Sequence, residues 1–233
     1  MRSVIAIVLS LASIGAQASL LGRAPMTPGG SDYQAYYDTV LHITWLADAN
    51  LPATNTFGVT GICLDTEPVP GSGCPVPPGA MDWDTQQNWI GAMNSASYLG
   101  LSNWRLPSAD LNGDQIIYTA CERLPVRICK DNELSYIYGV INVTAGTPSP
   151  FTNIANYVGF GYYGSSTDKP GEPDSRWIIN MGVILSGFNP KTAPTFTWAV
   201  SPGDLLLVPI PAAAWLFSGA LGLLGVMRRR STA

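Results

Sequence analysis

The stretch VPIPAAAWLFSGALGLLGVMRRR, residues 208–230, constrains this chain more than any other. Its first twenty residues, 208–227, carry no charge. At about 1.5 Å of rise per residue, a helix of that length crosses the roughly 30 Å hydrocarbon core of a bilayer. A core helix of a soluble domain is apolar along one stripe rather than on every face, so a transmembrane helix is predicted here. Arg228, Arg229 and Arg230 then stay on the cytoplasmic side and everything before residue 208 lies outside. The opening of the chain agrees. MRSVIAIVLSLASIGAQA has one basic residue, Arg2, and an apolar run over 4–14 that is too short for a stable span. It closes on Ala16-Gln17-Ala18, the small-x-small pattern of a signal-peptidase site, so residues 1–18 read as a signal peptide.

Between these ends lie about 190 residues, 19–207, enough for one domain with a sizeable core. All 16 acidic residues fall in this segment, whereas 4 of the 12 basic ones (Arg2 and the three terminal arginines) do not, so its formal charge is 8 minus 16, or −8. That balance excludes nucleic acid and anionic surfaces as expected partners, since nothing could neutralise dense phosphate or sulfate. The four cysteines, Cys63, Cys74, Cys121 and Cys129, are all exported with it, and an even count outside the cytoplasm reads first as disulfides. Three pairings are open. The local one, Cys63 to Cys74 and Cys121 to Cys129, closes two loops rich in Pro, Gly and charge and is the one expected. Zinc is a weak competitor: no Cys-x-x-Cys occurs and the only histidine is His42.

Hydrophobic periodicity points to an α+β domain with a small twisted antiparallel sheet, one main helix and much loop. Val40 to Leu46 carries β-branched and aromatic residues and reads as an early strand. In MDWDTQQNWIGAMNSASYLG, Trp89, Ile90, Met93 and Ser97 share a helical face, Asp82 or Asp84 can cap the start, and Gly100 can stop it. NWRLP reads as a short strand and DNELSYIYGVI as a second short helix begun by Asp131 or Asn132. RWIINMGVIL and TFTWAV read as late strands; in the latter Phe196, Trp198 and Val200 alternate with Thr195, Thr197 and Ala199, as a half-buried strand requires.

Catalytic chemistry is not expected. His42 sits in a strand-like run, no serine or cysteine stands in a nucleophile context, and Asp82 and Asp84 lie where helix caps belong rather than as a glycosidase pair. Two clusters are candidates for binding. DLNGD places Asp110, Asn112 and Asp114 at positions one, three and five of a calcium-type loop, although Gln115 and Cys121 stand where an EF-hand would want Gly and a carboxylate. NYVGFGYYGSSTD sets Tyr157, Phe160, Tyr162 and Tyr163 among glycines; Tyr157, Tyr162 and Tyr163 could present flat rings to sugar faces. Trp45, Trp104 and Trp198 are expected in the core, and Arg105 in a buried ion pair with a nearby carboxylate.

YDTVLHITWLADANL (37–51), WIGAMNSASYLGLSNWRLPS (89–108), NELSYIY (132–138), GSSTD (164–168) and FTWAVSPGD (196–204) resemble, in that order, the Lcl_C domain family, named for the C-terminal domain of a bacterial collagen-like adhesin. The resemblance covers roughly 37–204. It implies a C-type-lectin-like fold, binding of sulfated polysaccharide in the adhesin, and no catalytic residues. The tail is similar to the VPLPA variety of the PEP-CTERM sorting signal, with Pro209, Ile210, Pro211 and Ala212 as the motif and Arg228, Arg229 and Arg230 as its basic cluster. That similarity implies processing by an exosortase in a Gram-negative bacterium and delivery to the cell surface or exopolysaccharide matrix. The expectation is a non-enzymatic surface or matrix protein with a carbohydrate-binding role. The competing classes are a structural matrix component without a specific ligand and, behind it, a secreted hydrolase. Signal peptidase and exosortase are the expected processing partners, polysaccharide the expected ligand, and calcium the sole cofactor considered.

Overall fold

Backbone-bonding side chains and left-handed turns divide the apolar runs of this chain into short pieces. The computed structural model describes residues 20–64, 78–118, 121, 125–155, 161–183 and 185–205. In chain order its elements are strands β1 (Leu20–Pro25), β2 (Tyr33–Asp38) and β3 (Ile43–Leu46), and helices α1 (Trp83–Ser95), α2 (Val126–Cys129, one turn) and α3 (Glu133–Gly139). Strands β4 (Tyr162–Lys169), β5 (Glu172–Asn180), β6 (Leu185–Pro190) and β7 (Val200–Pro202) follow. The strands form two antiparallel sheets, one ordered β1-β2-β3-β7 and the other β4-β5-β6, so the α+β expectation is met with two sheets in place of one.

Two expected strands prove to be hairpins or parts of them. Val40 and Leu41 donate to Asp38 Oδ1 at 2.8 and 2.9 Å, the His42 amide donates to the Asp38 carbonyl at 2.9 Å, and His42 takes φ 56°. The short Asp side chain competes with a strand ladder for these amides, and strand pairing resumes only at Ile43. Likewise RWIIN belongs to β5, but Asn180 Oδ1 accepts from the Gly182 amide at 2.8 Å and the chain turns over 181–183 toward β6. NWRLP makes one antiparallel bridge, Arg105 with Val200, rather than a strand.

TFTWAV differs most from its pattern. None of residues 195–200 is more than 1% exposed, so both faces are buried. The segment runs between the sheets, bridging Met81 at Thr195 and Tyr163 at Phe196 before it enters β7. Trp198 lies at its centre, with ring centroids 5.0 Å from Trp45, 4.9 Å from Phe151 and 5.9 Å from Tyr163, and its Nε1–H donates to the Leu46 carbonyl at 2.8 Å. Trp45 and Trp104 are buried too, as expected.

Helix α1 is capped by Asp82, whose carboxylate accepts from the Thr85 amide at 2.8 Å. Its buried face is Gln86, Trp89, Ile90 and Met93. The expected Ser97 is instead exposed in a left-handed turn at φ 49°, so the helix stops before Gly100. Gln86, polar and unexpected there, is fully buried and bonded to Arg176 and Thr195. Asn132 caps α3 by accepting from the Ser135 amide at 3.0 Å.

Cys121 and Cys129 form a disulfide with Cα atoms 5.5 Å apart, as expected. Closing a loop of that size contributes about 2.5 kcal/mol by restricting the unfolded chain. Cys63 is also disulfide-bonded; its expected partner, Cys74, lies outside the described residues. Among the described residues no helix is long and apolar enough to cross a membrane, and the expected transmembrane segment, 208–227, lies outside them.

Candidate functional site

Beside β2 the hydrophobic pattern leaves aromatic surface uncovered. Tyr33 and Tyr36 are half-buried on this strand, their rings edge to face at 5.9 Å, and Tyr36 leans on buried Phe151 at 5.2 Å. Tyr98 joins them from the short turn after α1, where Ser97 and Leu99 hold left-handed φ values of 49° and 54°. Such angles are costly for non-glycine residues and persist only where surrounding contacts impose them. Here the Tyr98 carbonyl accepts from Trp104 Nε1 at 3.0 Å and its ring packs on Phe57 at 5.4 Å. The three tyrosines line a cleft of about 470 Å³ floored by Leu46, Ala47 and Leu51.

Two carboxylates enter the same cleft. Asp48 is fixed by its Oδ1, which accepts from the Asn50 amide at 2.9 Å, and by its segment, pinned by Ala47 N–H to Gln34 O at 2.9 Å and Ala49 N–H to Thr152 O at 3.0 Å. Asp32 accepts from the Thr27 hydroxyl at 2.8 Å and amide at 3.2 Å, which holds its carboxyl below the usual range. Burial, then the charge of Asp48, raises the Tyr98 phenol above its ordinary value; burial, then Tyr33, does the same to Tyr36. Both phenols are therefore neutral donors at physiological pH. Aromatic faces, neutral hydroxyl donors and fixed carboxylate acceptors suit a polyhydroxylated neutral ligand and repel an anionic one.

Space around Tyr33 depends on Gly22. A Cβ at Gly22 would sit inside the Tyr33 ring, so only glycine lets this ring lie across β1.

The aromatic residues named from sequence do not form this cleft. Tyr163 is fully buried against Phe196 and Trp198, and its oxygen accepts from the Ala155 amide at 2.7 Å, so it is a core residue with no face for a sugar. Tyr162 is half-buried on β4 opposite Asn180, and Tyr157 and Phe160 lie outside the described residues. The missed signal was the tyrosine-rich β2 segment, YQAYYD; nothing around Tyr98 marks it. His42 is exposed, its Nδ1 3.1 Å from the Tyr37 hydroxyl.

The acidic loop is built by its own side chains. Asp110 accepts from the Gly113 and Gln115 amides, each at 2.8 Å, Asn112 Oδ1 from the Asp114 amide at 2.8 Å, and Asp114 Oδ1 from the Ile116 amide at 2.7 Å. Asp110 and Asp114 meet a third carboxylate, Asp131, expected only as a helix cap; oxygens of the three lie within 4.8 Å of one another. This is an aspartate cluster able to bind a metal ion. The Asn112 side chain also shapes this turn, its Nδ2 donating to Asp114 Oδ2 at 3.1 Å.

Four of the basic residues are held in ion pairs. Among the described residues Arg23 pairs with Asp204, Arg105 with Glu133, Lys169 with Glu172 and Lys191 with Asp168. The sorting-motif residues Pro209, Ile210, Pro211, Ala212, Arg228, Arg229 and Arg230 lie outside the described residues. No protein-family description, curated protein or solved structure matches this chain.

Proposed function

We propose that this chain is an exported, non-enzymatic surface or matrix protein of a Gram-negative bacterium, related to the Lcl_C domains, C-type-lectin-like in fold, and sorted through its tail by an exosortase. Its ligand is a neutral polysaccharide, held in the cleft of Tyr33, Tyr36 and Tyr98. The observation that carries the binding role is this cleft, where three half-buried rings and the Asp32 and Asp48 carboxylates converge. The −8 charge and the pairing of Arg23, Arg105, Lys169 and Lys191 with carboxylates argue against the sulfated ligands that the family resemblance implies. Calcium belongs to this reading as an ion of the acidic loop, which shares no lining residue with the cleft.

Affinity electrophoresis of the domain against neutral and sulfated polysaccharides tests the binding. Retardation by a neutral glycan is expected, weakened about tenfold by Tyr36→Ala or Tyr98→Ala, each the loss of roughly 1.4 kcal/mol of stacking and hydrogen bonding. Gly22→Ala, which displaces the Tyr33 ring, should weaken it as well. Tight heparin binding that ignores these substitutions would overturn the reading. Absence of any glycan binding would leave the purely structural matrix role standing in its place.

The export half has its own measurement. Intact mass of protein recovered from the cell surface should lack residues 1–18 and the segment from about residue 208 onward. A full-length chain still embedded through 208–227 would reduce the tail to a plain membrane anchor.

A further inference from the structure

We infer that Asp110, Asp114 and Asp131 hold one calcium ion that fastens the 110–116 loop to the base of α3. This deepens the calcium reading above and is independent of saccharide binding. Two oxygens bound to the same Ca²⁺ at about 2.4 Å can be no more than about 4.8 Å apart. The three carboxylates already meet that limit. Three negative charges at such range repel one another, and among the described residues none of the three is paired with a basic side chain.

The decisive observation is on Asp131. The residue is only 8% exposed, and its Oδ1 accepts from the Asn112 amide at 2.9 Å, yet its Oδ2 is buried with no hydrogen-bond partner. An unpartnered buried carboxylate oxygen costs free energy unless a hydrogen-bond donor or a cation meets it. Asp110 and Asp114 bring only further negative charge to Asp131, so a cation is the partner that suits all three.

The chemistry selects calcium over zinc or magnesium. The donors are all hard oxygens, with no imidazole or thiolate among them. Asp110 and Asp114 spend their other lone pairs on loop amides, which fixes their positions without surrounding the ion closely; water fills the remaining coordination sites. Magnesium, which demands tighter octahedral geometry, should bind more weakly. The ion's place is structural. Asp131 follows Cys129 by two residues and precedes Asn132, which caps α3 and donates from Nδ2 to the Tyr118 carbonyl at 3.0 Å. Metal and disulfide together would therefore tie Asp110 and Asp114 to Asp131 and Cys121 to Cys129.

The test titrates EDTA-treated, disulfide-intact exported domain with CaCl₂ and MgCl₂ by calorimetry, and follows melting with and without 2 mM CaCl₂. One Ca²⁺ per chain and a higher Tm in calcium are expected, with Mg²⁺ at least tenfold weaker. Asp131→Asn keeps the shape and removes one charge, and should weaken Ca²⁺ at least tenfold. Asp114→Asn, at an exposed loop position, is the companion variant should Asp131→Asn fail to fold, and should weaken Ca²⁺ by a similar factor. No calcium heat at millimolar concentration, or unchanged affinity in Asp114→Asn, would overturn the site. Because the probe is the metal alone, either result leaves the saccharide reading untouched.

Discussion

Arg105→Met is expected to lower the stability of the domain by about 3–5 kcal/mol, measured by urea unfolding. The Arg105 guanidinium meets Glu133 with two parallel hydrogen bonds, Nη1 to Oε2 at 2.7 Å and Nη2 to Oε1 at 2.6 Å. Glu133 is fully buried, and its Oε2 also accepts from the Ser108 amide at 2.7 Å. Removing the arginine strands a carboxylate out of reach of water. The reverse change is milder. Arg105 keeps about a third of its side-chain surface in solvent (32%), so in Glu133→Gln the cation can rehydrate and the expected loss is nearer about 2 kcal/mol. A Glu133→Gln cost equal to or above that of Arg105→Met would show that the pair is not asymmetrically buried. The bridge also decides topology, since it ties the chain after α1 to the start of α3, while the Arg105 backbone pairs with Val200.

Trp198→Ala is expected to cost a further large amount, about 3–5 kcal/mol, for loss of a fully buried indole with incomplete collapse around the cavity. Trp198→Phe should cost less, retaining most contacts but leaving the Leu46 carbonyl without the indole donor. The effect should reach the cleft. Trp198 packs on Phe151, and Phe151 on Tyr36, so the alanine variant removes the support beneath a cleft ring. Thermal melting reads the first effect and glycan retardation the second; full glycan affinity in Trp198→Ala at a temperature where it remains folded would disconnect the cleft from that support.

What the sequence alone determined was local. Spacing narrowed the cap of α1 to Asp82 or Asp84 and that of α3 to Asp131 or Asn132, and it marked Trp89, Ile90 and Met93 of the α1 face and the short-range Cys121 to Cys129 closure, all of which depend on residues at most about ten positions apart. The burial of Trp45, Trp104 and Trp198 followed from hydrophobicity. The aspartates of DLNGD were readable as a loop with ligand character, though their third partner was not. What only the tertiary structure decided is long-range: the division into two sheets, the burial of residues 195–200 on both faces, and the meeting of Glu133 with Arg105, 28 positions away. A period-2 pattern marks which residues can share a face but not whether a second layer covers the other, so TFTWAV reads as half-buried in sequence and lies fully inside in the fold. Tyr163 went into the core for the same reason, while Tyr33, Tyr36 and Tyr98 stayed at a cleft. Asp131 joins the aspartate cluster because the fold brings it to Asp110 and Asp114 and buries its second oxygen, and proximity across 17 residues of chain is set by packing rather than by any local preference.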